Sequence, residues 1–239
     1  SLPHAAERVD LPHSWNAVDG QDGGNDYFRG TVYYVKEFKK EELPKAAQYY
    51  LEIQGANSSA EVYLNGKKLA QHDGGYSTWR VNLTETLAEE NCLVIAVDNA
   101  ANERVYPQMA DFTFYGGLYR DVAIICVEDS HFDLDYYGGP GVKVTPEIKG
   151  ENADVEIEAF VTKFENGQKI RFSIWDQEGA EVVKAEALET KMTLEIPKVH
   201  LWHGRKDPYL YTTKLELMEG DRVLDAISTR FGCRSFQID

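Results

Sequence analysis

The stretch "DFTFYGGLYRDV", residues 111–122, sets a carboxylate, three aromatic rings and a Gly-Gly pair in its first seven residues. A plain hairpin would use the glycines, but it needs neither the carboxylate nor so many rings. An ionised carboxylate accepts hydrogen bonds from two hydroxyls at once, so Asp111 is suited to hold a hydroxylated ligand. The plainer alternative is a loop aspartate that caps backbone N–H groups. Tyr115 can stack on a ligand face or pack, and for Phe114 burial is the simpler expectation. Gly116 and Gly117 read as a turn that uses positive φ. Asn99, at the end of "VDN", has an amide that fits a ligand hydroxyl and equally well the fixing of the loop that follows. Arg120 and Asp121 read as an internal ion pair or as hydrogen bonds to a neighbouring loop.

Other stretches look like chemistry and fall short of it. "DGQDGGNDYFRG" (19–30) is rich in aspartate and glycine, yet it lacks both the D-x-[DN]-x-[DN]-G order and the distal glutamate of a calcium loop. Tyr76 and Trp79 in "HDGGYSTW" suggest a stacking platform, but a structural turn with both rings packing is the simpler reading. The six histidines have no metal-ligand spacing, and the three cysteines, Cys92, Cys126 and Cys233, form no CxxC pair. We expect no metal and no cofactor.

The elements that must position these residues are strands. "TVYYVKEF" (31–38), "YYLEIQG" (49–55), "AEVYLNGKKLAQH" (60–72), "WRVNL" (79–83), "CLVIAVDN" (92–99) and "LYRDVAIICV" (118–127) are rich in β-branched and aromatic residues. Asn65-Gly66 between two such runs is a strong hairpin signal. A second series, of about seven strands, runs from "GVKVTPEI" (141–148) to "RVLDAISTRFG" (222–232). Several of its members alternate apolar and polar residues, as half-buried antiparallel strands do. The best helical candidate is short, Lys40–Ala46, and contains a proline. We expect an all-β chain: a jelly-roll (galactose-binding-like) β-sandwich over 1–130 and an immunoglobulin-like β-sandwich over 131–239, the cut lying in the polar, glycine-bearing segment near His131.

The 239 residues carry a formal charge of −15, which repels nucleic acid and anionic membrane surfaces; a neutral ligand is indifferent to it. No apolar run reaches the length of a membrane span. Thiols read as free favour a reducing, cytoplasmic compartment. A secreted or periplasmic location stays open, because a signal peptide could have preceded Ser1.

"LPHSWN" (11–16), "ANSSAEVYLNGKKLAQHDGGYSTWRVNLT" (56–84), "LVIAVDN" (93–99) and "DFTFYGGLYRDV" follow the order of motifs in the sugar-binding domain of glycoside hydrolase family 2. "LWHGRKDPYLYTTKLEL" (201–217) resembles the late strands of that family's immunoglobulin-like domain, and "STRFGCRSFQID" (228–239) the segment leading into its catalytic (β/α)₈ barrel. The resemblance covers essentially the whole chain. It implies a retaining hydrolase acting on a β-glycoside, with a weak preference for a β-galactoside. By that resemblance both catalytic glutamates would lie on a barrel absent from this sequence; retaining hydrolysis needs two carboxyl groups about 5–5.5 Å apart across the bond, and nothing here singles out such a pair among the acidic residues. The chain by itself is then inactive. By resemblance Asp111 reaches from its loop into the barrel's sugar pocket. "FRG" (28–30) resembles the family's "YRG" near the active-site entrance, which makes Asn25, Asp26 and Arg29 candidates there. The implied partners are the carbohydrate substrate and the barrel of the same polypeptide. Oligomers are common in the family, but no pattern here fixes a symmetry. The competing expectation is a free-standing, lectin-like carbohydrate-binding module.

Overall fold

A computed structural model of the chain describes residues 6–17, 19, 28–106 and 113–236. It divides into two compact units, Ser1–Cys126 and Val127–Asp239, both built almost wholly of strands.

The first unit pairs β1 (Thr31–Lys39), β3 (Ser59–Leu64), β4 (Lys67–Asp73) and β6 (Glu90–Asp98) into a four-stranded sheet of order β1-β6-β3-β4. A three-stranded sheet, β5-β2-β7, is made by β2 (Gln48–Ile53), β5 (Trp79–Asn82) and β7 (Val122–Val127). Every second residue of β3 is buried, and so are Leu51 and Ile53 of β2, Val81 of β5, and Ile95 and Val97 of β6. These side chains form one apolar cluster, so the two sheets close as a sandwich. The β3–β4 hairpin turns at Asn65 and Gly66, whose φ values of 53° and 81° are those of a type I′ turn, matched to strand twist.

The candidate helix at Lys40–Ala46 does not form. Only a 3₁₀ turn, Lys40–Glu42, appears, and Leu43 is already extended at φ −92°, ψ 148°. The cause is Pro44, whose ring excludes the helical region for the residue before it.

The second unit holds a three-stranded sheet, β14-β10-β9, and a four-stranded sheet, β13-β12-β15-β16. Its strands are β9 (Val142–Lys149), β10 (Asn152–Ala159), β12 (Gln168–Trp175), β13 (Glu181–Ala187), β14 (Lys191–Ile196), β15 (Tyr211–Glu219) and β16 (Arg222–Phe231). The short β8 (His131–Phe132) pairs with β11 (Val161–Thr162), and Asp225 Oδ2 accepts the Phe132 N–H at 2.8 Å. Val155, Ile157, Phe172, Ile174, Leu194 and Leu215 meet in the core between the sheets. Cys233 is enclosed there, and burial pushes its thiol up to about 11. Cys92 and Cys126 are half-buried, and all three thiols are free.

Phe172 is wholly enclosed, whereas Leu188 is largely exposed. Phe172→Ala should cost about 3–5 kcal/mol of the second unit's stability, while Leu188→Ala stays within about 0.5 kcal/mol. Urea unfolding of the two variants against the parent chain checks both values.

Candidate functional site

The described residues around the Asp111 loop converge on Asn16. This side chain is completely buried, and both ends of its amide are used. Its Nδ2 donates to Asp19 Oδ2 at 2.8 Å and to the Phe28 carbonyl at 3.0 Å. Its Oδ1 accepts from Asn99 Nδ2 at 3.1 Å and from the Gly116 N–H at 2.8 Å. One amide oxygen therefore holds the two ends of the segment between Asn99 and Gly116, the segment that carries Asp111.

Asn99 is buried and continues the same network. Its Oδ1 accepts the Gly30 N–H at 2.9 Å, and its Nδ2 also donates to the Phe28 carbonyl at 3.1 Å. The structure thus gives the Asn99 amide the role of fixing the loop. Phe28 is pinned at both backbone atoms, because its N–H donates to Asp19 Oδ2 at 3.0 Å. Its ring nonetheless stands 55% exposed. The two hydrogen bonds to Asp19 hold that carboxyl below its ordinary value.

The paired glycines serve different ends. Gly117 has φ 122°, and a Cβ there would lie 2.5 Å from the His13 carbonyl. Gly116 does not need positive φ; a Cβ there would lie 2.2 Å from the indole of Trp15. The chain can lie flat on that ring only without a side chain. Asn57 completes the seat: its Nδ2 donates to the Tyr115 carbonyl at 2.8 Å, and its backbone pairs with Gly117. His13 donates its N–H to the Leu118 carbonyl at 2.7 Å, and its Nδ1 lies 2.9 Å from the Tyr34 hydroxyl.

Tyr115 has its backbone held and its ring exposed, while Phe114 is buried. Arg29 is exposed beside Phe28. Asp111, Asn25 and Asp26 lie outside the described residues. Arg120 donates to the Tyr76 carbonyl at 2.8 Å, a bond to a neighbouring loop, and its guanidinium sits over the Tyr119 ring. Trp79 is buried against His72, whereas Tyr76 is exposed. Sequence reasoning missed Asn16, Asn57 and Trp15 as the framework of this site; the only signal was membership of the "LPHSWN" and "ANSSAEV" motifs. Among the described residues no three His, Cys, Asp or Glu side chains group as metal ligands do.

Downstream of Asn99 the loop is tied to the β3–β4 edge. Asn102 Nδ2 donates to Ser59 Oγ at 2.8 Å, and Arg104 Nε to Asp73 Oδ2 at 2.7 Å. The hydrogen bonds from Arg104, then from Ser59, lower Asp73 from 3.8 to about 2.

Asn16→Ala would leave the Gly116 N–H and the Asn99 amide short of an acceptor in a buried place. We expect a loss of about 2–4 kcal/mol in the first unit, read by urea unfolding, with the second unit unaffected. Asp73 is held below its unfolded value. The stability it contributes is therefore present above pH 3.8 and is lost as pH falls through about 2. Because Arg104 is largely exposed, the contribution is at most about 1 kcal/mol. NMR titration of the Asp73 carboxyl should give a midpoint near 2, and Arg104→Ala should move it toward 3.8.

Comparison with known proteins gives this arrangement its relatives. Residues 26–115 match the family described as glycosyl hydrolase 2 galactose-binding domain-like, and residues 140–234 match glycosyl hydrolases family 2. A β-glucuronidase of Bacteroides fragilis is 28% identical over 97% of this chain and 35% of its own length. A β-galactosidase of Thermoanaerobacter pseudethanolicus is 25% identical over 97% of this chain and 32% of its own length. The crystal structure of an FMN-binding β-glucuronidase from Facaelibacterium prausnitzii L2-6 superposes with a TM-score of 0.91 at 41% identity, covering 98% of this chain and 37% of that one. The chain thus spans about a third of the length of these relatives. With both of its units matched, the chain belongs to glycosyl hydrolase family 2, as the N-terminal portion of such a protein.

Proposed function

We propose that this chain supports the catalytic part of a longer retaining β-glycoside hydrolase and lends it Asp111 as a sugar contact. The observation that carries the reading is the Asn16 amide oxygen, which holds Asn99 and Gly116 together. A carboxylate that orients a sugar must sit on a backbone fixed before the ligand arrives, because a mobile loop spends binding energy on ordering itself. Asn16 and Asn57 hold the described ends of that segment, and the backbone-held, outward-facing Phe28 and Tyr115 supply rigid contact area at those ends. Hydrolysis itself then rests on two glutamates of a barrel beyond this sequence, and the chain alone does not turn over substrate.

The substrate we infer is a β-glucuronide. The galactoside preference drawn from "DFTFYGGLYRDV" yields to the relatives, since the structural neighbour at 41% identity is a β-glucuronidase. Asn25 and Arg29, on the segment that ends at the pinned Phe28–Gly30 backbone, stay as pocket-mouth candidates.

The test compares this chain with the longer polypeptide on p-nitrophenyl β-D-glucuronide and the matching β-D-galactoside. The chain alone should be inactive. In the longer polypeptide Asp111→Ala should lower kcat/KM about 10- to 100-fold, the loss expected when hydrogen bonds to a charged group are removed. Hydrolysis by the chain alone, or full activity in Asp111→Ala, would overturn the reading.

A further inference from the structure

The outer face of the four-stranded sheet of the first unit is not a flat polar surface. Strand register lays three rows of side chains across it. The first row is Thr31, Asp98, Ser59 and Asp73; the second is Tyr33, Ala96, Glu61 and Gln71; the third is Val35, Val94, Tyr63 and Lys68. The middle row has its smallest side chain, Ala96, between Tyr33 on one neighbouring strand and Glu61 on the other. Those two strands are about 9.5 Å apart, two inter-strand spacings. A trough forms over Ala96, a cavity of about 440 Å³ open to solvent. Its volume falls within the range of small-molecule sites.

The walls differ in chemistry. Tyr33 stands 66% exposed on one side and offers an aromatic face. Glu61 and Gln71 form the other side, and Asn102 and Arg104 close one end from the loop after β6. The two cations beside the trough are paired within the protein. Lys68 Nζ lies 2.6 Å from Glu61 Oε1, and Arg104 is bound by Asp73 through Nε and Nη2, one edge of its guanidinium, while Asp98 accepts from the Thr31 hydroxyl and the Ala100 N–H. Among the described residues of the trough the cations are paired with carboxylates, and hydroxyl, carboxamide and carboxylate groups, several already bonded to one another, line it. A ring with one apolar face and a rim of hydroxyls satisfies both walls.

We propose that this trough is a second carbohydrate site, a groove for a neutral oligosaccharide in which Tyr33 stacks on a sugar ring and Glu61, Gln71 and Asn102 bind its hydroxyls. An open groove accepts a chain along its length, where a closed pocket takes only an end. Asn102 and Arg104 at its end belong to the described part of the segment that carries Asp111, but the proposal does not rest on the role given to Asp111. Its function is to hold the glycan, with no chemistry.

The experiment titrates the 239-residue chain with cellohexaose, xylohexaose and β-1,4-galactohexaose, and with an oligogalacturonate as the charged control, by calorimetry and amide chemical shifts. At least one neutral oligosaccharide should bind, with shifts centred on β1, β3 and β6. Tyr33→Ala and Gln71→Ala should each weaken it about tenfold or more, Tyr33→Phe should retain most of the affinity, and Trp175→Ala should leave it unchanged. Tyr33 and Gln71 are exposed, so both variants should keep the parent's melting temperature. Four outcomes overturn the proposal: no binding at millimolar sugar, binding that survives both Tyr33→Ala and Gln71→Ala, preference for the oligogalacturonate, or self-association of the chain through this face that Tyr33→Ala abolishes.

Discussion

One carboxamide organises the loop end of the first unit. Asn16 is buried without water contact, so each of its lone pairs and protons must find a protein partner or carry a desolvation cost. It finds four: Asp19, Phe28, Asn99 and Gly116. Because these partners come from four separate stretches, satisfying one side chain fixes the relative position of four backbones. Apolar packing could hold the same segments near one another, but it has no direction and would let them slide. The hydrogen bonds of a planar amide set angles as well as distances. Gly116 and Trp15 make the arrangement stricter still, since only a residue without Cβ lets the chain lie on the indole.

The second constraint is the strand period. In β3 the alternation of exposed and buried residues divides one short segment between two tasks. Ala60, Val62 and Leu64 enter the core, and Ser59, Glu61 and Tyr63 face outward onto the proposed groove. β6 does the same with Ile95 and Val97 against Ala96 and Asp98. A slip of one residue would exchange the two faces, so burial of the core also guarantees the order of the outer rows.

The sequence made the strands legible because their signals are local: β-branched and aromatic runs, alternation, and the Asn65-Gly66 turn. It also made Gly116 and Gly117 stand out, though for one shared reason where the structure has two. Of the helical candidate at Lys40–Ala46 only the 3₁₀ turn Lys40–Glu42 forms, because Pro44, visible in the sequence, turns the residue before it extended. Asn16 was not legible. Three of its four partners lie 12, 83 and 100 residues away, and nothing in a short polar motif announces that an amide is buried. The same distance in sequence hides the trough, which exists only because register puts Ala96 beside Tyr33 and Glu61.

The outer face of the four-stranded sheet in the second unit carries a hollow of similar size, about 480 Å³, lined by Arg171, Ser173, Trp175, Lys214 and Ser228 among others. There Lys169 and Arg171 both reach Glu186, Arg171 also reaches Glu216 at 2.9 Å, and Lys214 sits over the Trp175 ring. Long side chains lie across the strands and satisfy one another. In the first unit the corresponding ion pairs, Lys68 with Glu61 and Arg104 with Asp73, stand to either side of Ala96, and the middle is left low. Both faces combine paired charges, short side chains (Ala96 and Ser59 in one, Ser173 and Ala226 in the other) and an aromatic wall. What differs is the ring: in the second unit Lys214 Nζ lies 4.3 Å over Trp175, a cation seated where a sugar face would stack, whereas Tyr33 stands 66% exposed on its strand.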